Sequence, residues 1–395
     1  MATLPLAGVR ILDFTWAQQG PVSTVMLADM GAEIIKIEKR QGELGRNPVG
    51  TAPMPHPVPY FVAHNRGKHS LALDVTTPQG REVVMRLVAR VDAVVSNMRP
   101  GAMDALGLGY EDMRAVNPRL VYAAASTYGP LGPKATRRGF DIIGQALGGL
   151  MSQTGPEGAP PTPAGACISD TVGALHLCAG LLGGLVQAQR TGEGCQVDVS
   201  LYGTQIALQA WEIDQTSMLG KQLPRAGSGH PIAGGTWGTY ETADGHIVLG
   251  GISGERFRAL CGVIERPDLF DASPDDARRD ANITEILATL RAAFRRQPNA
   301  YWLDRLEQAG VPTAPVQTYR DVLDDPEARA NGYITKLPHP HYGEITVVGS
   351  AIQFDREPTA LPGPPPELGD HTEVYLEELG YDWDDITRLR EADVI

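Results

Sequence analysis

The sequence contains few cysteines and lacks the short motifs of zinc hydrolases and serine hydrolases. No C-x-x-C pair occurs, so we expect reduced thiols rather than disulfides or zinc ligands at Cys167, Cys178, Cys195 and Cys261. Neither H-E-x-x-H nor G-x-S-x-G is present, which gives both hydrolase hypotheses little support. We therefore predict no metal site.

An excess of positive charge is also lacking. The formal net charge is −13 at pH 7, whereas non-specific binding to nucleic acids or anionic membranes needs a basic face. No basic segment followed by a long apolar run opens the chain, and the most apolar stretch, Val172–Val186, is shorter than the roughly 20 residues of a membrane span. These observations favour a cytoplasmic protein without nucleic-acid or membrane partners.

Glycine is scarce where a dinucleotide-binding protein needs it. The predicted first strand and first helix are joined by DFTWAQQGPVS, which contains one glycine. A dinucleotide-binding turn carries G-x-G-x-x-G at this place. A Walker A sequence is missing as well, so neither type of phosphate-binding loop is predicted.

Strand and helix signals alternate regularly through the first two hundred residues. Apolar runs such as VRILDF, AEIIKIE and DAVVSNM are separated by helical segments, a pattern typical of βαβ units and a mostly parallel, doubly wound sheet. A glycine-rich stretch and a predicted hairpin, WGTYET and HIVLGG, follow. Helical segments come next, so the fold class is α/β with a smaller α+β domain at residues 222–319.

Two aspartates stand at the start of apolar helical runs. Asp170 precedes a helix that is apolar on nearly every face, where an aspartate is a preferred N-cap that the helix dipole keeps ionised. The same carboxylate at the dry end of a buried helix could also serve as a nucleophile. Asp141 follows Arg137 and Arg138, and a helix-start acid with a local ion pair explains it equally well. The pattern alone leaves these alternatives open.

Eight segments, in order along nearly the whole chain, resemble class III coenzyme A transferases, a family that includes formyl-CoA transferase and α-methylacyl-CoA racemases. They include LADMGAEIIKIEK, NRGKHSLALDV, VSNMRPGAMDALGLGYEDMRAVNPRLVYAAASTYG, GFDIIGQALGGLMSQTG, SDTVGALH and QRTGEGCQVDVSL. The resemblance implies that Asp170 is the catalytic carboxylate and that Asp141 positions groups near it. It implies acyl-CoA and a small carboxylic acid as substrates, with no permanently bound cofactor.

The implied reaction transfers coenzyme A through covalent intermediates on Asp170. The carboxylate forms a mixed anhydride with the donor acyl group and then an aspartyl-CoA thioester, which the acceptor acid resolves. Backbone N–H groups at the helix start would stabilise the oxyanion. By resemblance, further residues contact coenzyme A or close over the intermediate: Gln18, Lys39, Asn97, Arg99 and Arg138 for coenzyme A, and Gly234 and Gly235 for a glycine loop.

One position separates the transferases from the racemases of this family. The racemases carry a histidine before the residue equivalent to Asp141, and here that position is Phe140, which cannot exchange a proton. Racemisation needs two proton-transfer groups on opposite faces of the α-carbon. A transferase is therefore favoured over a racemase or epimerase, and a non-catalytic acyl-CoA binding protein is the third alternative.

The resemblance also implies an interlocked homodimer. Residues 1–200 and 346–395 would build one Rossmann-like domain, with linkers at 201–221 and 320–345 on either side of the small domain. The active site would lie between domains of different chains. A dicarboxylate such as succinate, malate or mesaconate is the expected acceptor, because four residues could meet a second carboxylate: Arg46, Arg66, Arg225 and His230.

Overall fold

The computed structural model describes residues 4–47 and 58–395, which divide into two compact units. The first unit comprises Met1–Gly149, Gly165–Gln209 and Asp325–Ile395, and the second comprises Leu150–Ala164 and Ala210–Asp324. The C-terminal segment thus packs with the N-terminal one, from residue 325 rather than from the predicted 346. Residues 201–221, predicted as a linker, form two helices instead, and residues 320–345 contain helices and part of a hairpin.

Strands of the described residues form a six-stranded sheet in the first unit, with every neighbouring pair parallel. The order along the sheet is β3-β2-β1-β4-β5-β6, which is the doubly wound arrangement that the alternation predicts. The strands are β1 (Arg10–Phe14), β2 (Glu33–Glu38), β3 (His69–Ala72), β4 (Ala93–Ser96), β5 (Val121–Ser126) and β6 (Gln196–Ser200). The order reverses between β1 and β4, where ligands of such sheets bind outside the carboxyl ends of the strands.

Helices cover both faces of this sheet. The helices of the first unit are α1 (Gln19–Asp29), α2 (Pro59–Asn65), α3 (Pro78–Val88), α4 (Ala102–Ala105), α5 (Tyr110–Val116), α6 (Asp141–Leu147), α8 (Ile168–Thr191), α9 (Leu201–Leu208), α17 (Pro326–Ala330), α18 (Thr372–Glu378) and α19 (Trp383–Glu391). Successive residues of β1 lie in two different cores. Ile11 packs in a core with α1 and α8, and Leu12 packs in a core with α3, α5, α18 and α19. The two-faced burial explains why these strands read as nearly continuous apolar runs.

Helix α8 lies close against β5 and β6 because glycine faces the sheet. A Cβ at Gly180 would meet the Val197 side chain at 2.6 Å, and one at Gly184 would meet Val121 at the same distance. The helix has 24 residues and is therefore longer than the apolar stretch predicted from the sequence. By length and composition alone it could cross a membrane, although one side of it packs on the sheet.

The second unit has its own sheet and core. Strands β7 (Gly238–Glu241), β8 (His246–Leu249) and β9 (Thr313–Pro315) pair antiparallel, which confirms the predicted hairpin. Its helices are α7 (Leu150–Gln153), α10 (Ala210–Leu219), α11 (Gly254–Val263), α12 (Pro267–Ala272), α13 (Asp276–Ala281), α14 (Ile283–Phe294), α15 (Asn299–Gln308) and α16 (Tyr319–Asp324). Two small hairpins of the first unit complete the description, β10 (Ile334–His339) with β11 (Gly343–Val348) and β12 (Gln353–Phe354) with β13 (Glu357–Pro358).

Candidate active site

A cleft of about 240 Å³ opens beside the carboxyl ends of β1 and β4, where the strand order reverses. Five of the residues singled out from the sequence line it, although they lie far apart along the chain: Gln18, Asn97, Arg99, Arg138 and Asp170. A neighbouring cleft of about 570 Å³ is lined by Lys39 and by apolar side chains such as Leu73 and Val75. Arg99 lines both clefts, so a long ligand could contact both.

Asp170 is the third residue of α8 and is half-buried. Burial, followed by the negative charge of Asp141, raises the pKa of Asp170 to about 7. The helix dipole, which we expected to keep this carboxylate ionised, is outweighed by the removal of the carboxylate from water. Asp170 instead titrates near neutral pH.

The capping group at the start of α8 is Asp141, not Asp170. One oxygen of the Asp141 carboxylate, Oδ1, accepts hydrogen bonds from the backbone N–H groups of Ser169 at 2.7 Å and Asp170 at 3.1 Å. The other oxygen accepts from Gln145 Nε2 at 2.6 Å. Two of the backbone donors expected to stabilise an oxyanion are therefore already occupied, which corrects that prediction.

The loop after β1 is held by side chains where a dinucleotide-binding protein has glycines. The Thr15 N–H donates to buried Asp13 at 2.8 Å, and the Thr15 carbonyl accepts from buried Lys36 at 2.6 Å. Ala17 has a left-handed backbone, with φ of 62°, and its N–H donates to Glu43 at 3.2 Å. An alanine at positive φ is strained, so these contacts fix the loop in one shape.

Asn97 belongs to the same arrangement. Its Oδ1 accepts from the Trp16 N–H at 3.0 Å and its Nδ2 donates to the Trp16 carbonyl at 2.7 Å. Both polar atoms of the side chain therefore contact the loop, and the geometry favours a positioning role over the predicted contact with coenzyme A. The signal in the sequence, one polar residue after a buried strand, did not distinguish the two.

A buried charge network lies beneath this loop. Lys68 Nζ donates to Asp13 at 2.9 Å, and both side chains are fully buried. Burial, partly offset by Asp13, lowers the pKa of Lys68 to about 8. Burial opposes the ionised form of Asp13 as well, but Lys68 and Lys36 together hold the pKa of Asp13 well below its usual range. The network is thus charged on both sides at neutral pH, which stiffens the end of β1.

Two glutamines connect the loop to the helix that carries Asp170. Gln18 Nε2 lies 3.5 Å from the Thr171 hydroxyl, at the next residue after Asp170. The buried Gln19 side chain fills the space where a Cβ at Gly173 would stand, 2.6 Å from its Nε2. Gln18, which we predicted to contact coenzyme A, lines this end of the cleft, while Gln19 and Gly173 carried no recognisable signal.

Exposed cations surround the two clefts. None of four basic side chains forms an ion pair with a carboxylate within residues 4–47 and 58–395: Lys39, Arg99, Arg137 and Arg138. Arg137 was not among the predicted ligand contacts, although it lines the same cleft as Arg138. Such a set suits phosphate groups.

Two arginines that we predicted to bind a second substrate carboxylate form ion pairs with carboxylates of the protein instead. Arg46 is buried and donates from two nitrogens to Glu38, at 2.7 and 2.6 Å. Arg66 is buried against Asp29, with 2.6 Å between the charged groups. Neither guanidinium is available to a substrate, because each is paired with a carboxylate inside the first unit. That part of the substrate prediction is corrected.

The remaining predicted residues lie in the second unit. Arg225 donates to the carbonyl oxygens of Thr154 at 2.8 Å and Pro160 at 3.0 Å. Gly234 and Gly235 have φ of 49° and 59°, a left-handed pair that favours glycine. His230 contacts the backbone that leads into this pair.

Cys167 and Tyr60 are neighbours of Asp170 that no motif in the sequence had indicated. Burial and the negative charges of Asp141 and Asp170 raise the pKa of the Cys167 thiol, and burial followed by the charge of Asp170 raises the pKa of Tyr60. Donor atoms of Asp141, Cys167 and Asp170 lie within 4.8 Å of one another. Asp141 already accepts three hydrogen bonds, so we assign no metal to this group.

The sequence is similar to those of CoA-transferases, and the structure is similar to that of a CAIB/BAIF family protein. The model of CoA-transferase family III matches residues 6–372. Human succinyl-CoA:glutarate CoA-transferase is 33% identical, over 99% of this chain and 90% of the human protein. Succinyl-CoA:mesaconate CoA-transferase of Haloarcula marismortui is 36% identical, over 95% of this chain and 97% of that protein. A CAIB/BAIF family protein from Brucella suis has a TM-score of 0.84 at 29% identity, covering 95% of this chain and 99% of that structure's chain.

Proposed function

Because this chain belongs to CoA-transferase family III, we propose that it transfers coenzyme A between carboxylic acids through covalent intermediates on Asp170. The observation that carries the proposal is the Asp170 carboxylate itself. It lines the cleft at the strand reversal, and its pKa is raised to about 7. A carboxylate of higher pKa is the more basic nucleophile and is still substantially ionised at neutral pH.

The proposed sequence has two symmetrical halves. Asp170 attacks the carbonyl carbon of the donor thioester, the C–S bond breaks, and coenzyme A leaves as a thiolate, so that a mixed anhydride of Asp170 and the donor acid remains. The thiolate attacks the aspartyl carbonyl, which releases the donor acid as a carboxylate and leaves an aspartyl-CoA thioester. The acceptor carboxylate then repeats the steps in reverse, forms the new acyl-CoA and regenerates the Asp170 carboxylate. No proton or electron is consumed overall.

The cations around the clefts support binding of coenzyme A in the first unit. Arg99, Arg137, Arg138 and Lys39 would hold its phosphates, because none of them is neutralised by a carboxylate ion pair within the described ranges. Leu73 and Val75 would contact the flat ring of the adenine base of coenzyme A in the larger cleft. The thioester end would then lie in the smaller cleft, which Asp170 lines.

We further propose succinyl-CoA as the donor and a dicarboxylic acid as the acceptor. The support comes from the names of two relatives, a succinyl-CoA:glutarate and a succinyl-CoA:mesaconate CoA-transferase. Arg46 and Arg66 do not contribute, since both are paired inside the first unit. Phe140 lines the cleft and is exposed, which favours a transferase over a racemase at the position where racemases of the family carry histidine.

A homodimer is the proposed assembly. Helix α8 carries an exposed stripe of apolar and small residues along the side turned away from the sheet: Leu175, Ala179, Gly183 and Val186. Among the residues that the structure describes, a Cβ at Gly183 would meet nothing within 4 Å, so a second helix can approach closely there. A second copy of this chain is the occupant that we propose, because Asp170 lies at the start of the same helix.

Intact-protein mass spectrometry after mixing with succinyl-CoA tests the nucleophile. We expect a covalent adduct that hydroxylamine or borohydride traps, and peptide mapping should place it on Asp170. Asp170→Asn should form no adduct and lose transfer to glutarate, while the matched variant Asp198→Asn, an exposed aspartate at the edge of the sheet, should retain both. Full transfer by Asp170→Asn would refute the proposal. Solvent deuterium at the α-carbon without exchange of acids would favour a racemase.

A further inference from the structure

Helix α6 carries Asp141 and Gln145 one turn apart, so both side chains lie on the same face of the helix. The Gln145 side chain is buried, and its Nε2 donates to Asp141 Oδ2 at 2.6 Å. The other oxygen, Oδ1, accepts from the N–H groups of Ser169 and Asp170. Both oxygens of Asp141 thus act as acceptors, as those of an ionised carboxylate do.

Close packing fixes the position of α6 against the start of α8. A Cβ at Gly144 would meet the Ser169 hydroxyl oxygen at 2.7 Å and the Leu201 Cβ at 3.1 Å. The backbone of α6 therefore has little room to move, but the Asp141 carboxylate could still rotate about its side-chain bonds. The hydrogen bond from Gln145 holds the second oxygen and so fixes this rotation.

Other charged and titratable groups surround the two aspartates. Arg137 and Arg138 line the cleft together with Asp170, and burial and both aspartates raise the pKa of the Cys167 thiol. The elements around α6 and α8, and α8 itself, contribute these further titratable side chains: Asp29 on α1, Tyr60 on α2, Tyr122 on β5, Asp198 on β6, His176 on α8 and Tyr202 on α9. Among all of these charges, the one that raises the pKa of Asp170 is that of Asp141.

We propose that Gln145 is a positioning residue that keeps the negative charge of this acid pair on Asp141 and its proton on Asp170. The inference rests on the proposed function, in which Asp170 is the nucleophile. Two neighbouring carboxylates divide a proton according to the hydrogen bonds that each accepts. A proton on either oxygen of Asp141 would face an N–H donor that is already in place, so Asp141 stays ionised. Its charge then makes Asp170 the more basic of the two acids.

Gln145→Met removes the donor and keeps a side chain of similar length. Asp141 then takes up a proton more readily, part of its charge is lost, and Asp170 is ionised at lower pH. We expect the acid limb of kcat/KM for succinyl-CoA to move down by about half a pH unit in Q145M, roughly a threefold gain in ionised nucleophile at the foot of the limb. An unmoved limb in a folded Q145M would overturn the proposal, whatever happens to kcat.

A double variant tests whether Gln145 acts through Asp141. In Asp141→Asn the charge is absent, so adding Q145M to D141N should move the limb by less than about 0.2 pH unit beyond D141N alone. Shifts that add in full would overturn the proposal, because Gln145 would then act by another route.

The matched control is Gln209→Met. Gln209 is a buried glutamine after α9, and its Nε2 donates to the carbonyl oxygens of Gly148 and Gln205, at 2.9 Å each. Q209M thus removes buried hydrogen bonds from the same neighbourhood without touching Asp141, and it should leave the acid limb in place. An equal shift of the limb in Q209M would contradict a specific role of Gln145.

Carbon NMR of the unmodified protein, labelled at the aspartate carboxyl carbons, gives a readout that needs neither activity nor a folded Q145M. The variants D141N and D170N assign the two signals. We expect the Asp170 signal to titrate near neutral pH, while the Asp141 signal keeps the chemical shift of an ionised carboxylate over the same range. A titration of Asp141 near neutral pH would overturn the proposal.

These experiments separate the inference from the proposed function. An adduct on Asp170 in the unmodified protein, together with an unmoved limb in Q145M, removes only the role of Gln145. Absence of any adduct in the unmodified protein refutes the nucleophile, whereas the NMR titration still decides which aspartate holds the proton.

Discussion

The basicity of Asp170 has two physical sources that act in the same direction. Burial is the larger, and the negative charge of Asp141 is the second. Asp141 can stay this close because its own carboxylate accepts two backbone N–H groups and the Gln145 amide. One acid is thus satisfied by donors at the start of α8, and its charge makes the neighbouring acid a better base.

Asp141→Asn should move the pH dependence of transfer to lower pH. The amide oxygen can still accept from Ser169 and Asp170, but the negative charge is gone, so the pKa of Asp170 falls. The ionised nucleophile is then present at lower pH, and the acid limb of kcat/KM should move down by about one pH unit, because burial remains. Asp104→Asn, at an exposed aspartate on α4, is the control. An unmoved or upward-shifted limb would contradict this account.

Single residues show where sequence reasoning reaches its limit. The segment SDTVGALH identified Asp170 through resemblance, and in the structure Asp170 lines the cleft at the strand reversal. We assigned the cap of α8 to Asp170, but the capping carboxylate belongs to Asp141. Sequence reasoning missed it because Asp141 lies 28 residues before Ser169, the residue whose N–H it accepts. Arg46 and Arg66 were wrongly predicted to bind a substrate carboxylate, because a sequence does not indicate which carboxylate a given arginine contacts. The alternation of strands and helices, by contrast, follows from local periodicity, and it was predictable together with a mostly parallel, doubly wound sheet.

At the scale of elements, the loop between β1 and α1 is held in shape by hydrogen bonds from side chains, where a dinucleotide-binding turn relies on glycines. Its backbone donors and acceptors are bound by Asp13, Lys36, Glu43 and Asn97. Asp13 and Lys36 lie on β1 and β2, Glu43 follows β2 and Asn97 follows β4, so the loop depends on the register of the sheet. The missing G-x-G-x-x-G predicted that the loop is not a dinucleotide turn, but the contacts that hold the loop were not visible in the sequence.

Asn97→Ala should impair catalysis more than stability. The change frees both main-chain groups of Trp16, so Gln18 loses its fixed place beside α8, and kcat/KM should fall about tenfold or more. The matched control is Asn117→Ala, which removes hydrogen bonds to the carbonyl groups of Val88 and Val91. Both variants should lower Tm by about 2 to 4 °C, and only the first should lower kcat/KM in steady-state assays. Equal activity of the two variants would show that the loop needs no anchor.

At the scale of the whole molecule, net charge and local charge have opposite signs. The chain carries a formal charge of −13, while exposed cations of the first unit surround the two clefts. The net charge opposes the approach of an acyl-CoA, the proposed substrate, because it carries several negative charges, whereas the cations at the clefts favour its binding there. Cations clustered at the clefts raise the rate at which an anionic ligand reaches them, and this rate should fall as the salt concentration rises.

The exposed stripe of α8 supplies a test of the proposed homodimer that does not disturb the folded chain. Gly183 is exposed in mid-helix, and a Cβ there meets nothing within 4 Å, so Gly183→Leu fits one chain and gains helix propensity. If a second copy packs on the stripe, the leucine prevents close approach. We expect light scattering to give the unmodified protein twice the 42.3 kDa of one chain and G183L that of one chain.

The matched control for the dimer is Gly262→Leu. Gly262 is also exposed in a helix, α11, and a Cβ at this position would meet nothing within 4 Å. G262L should remain dimeric and active, whereas G183L should lose transfer because the active site is proposed to need both chains. An active monomer of the unmodified protein, or a fully dimeric G183L, would rule out the α8 stripe as the interface. Membrane-vesicle binding by the unmodified protein would instead assign the stripe to lipid.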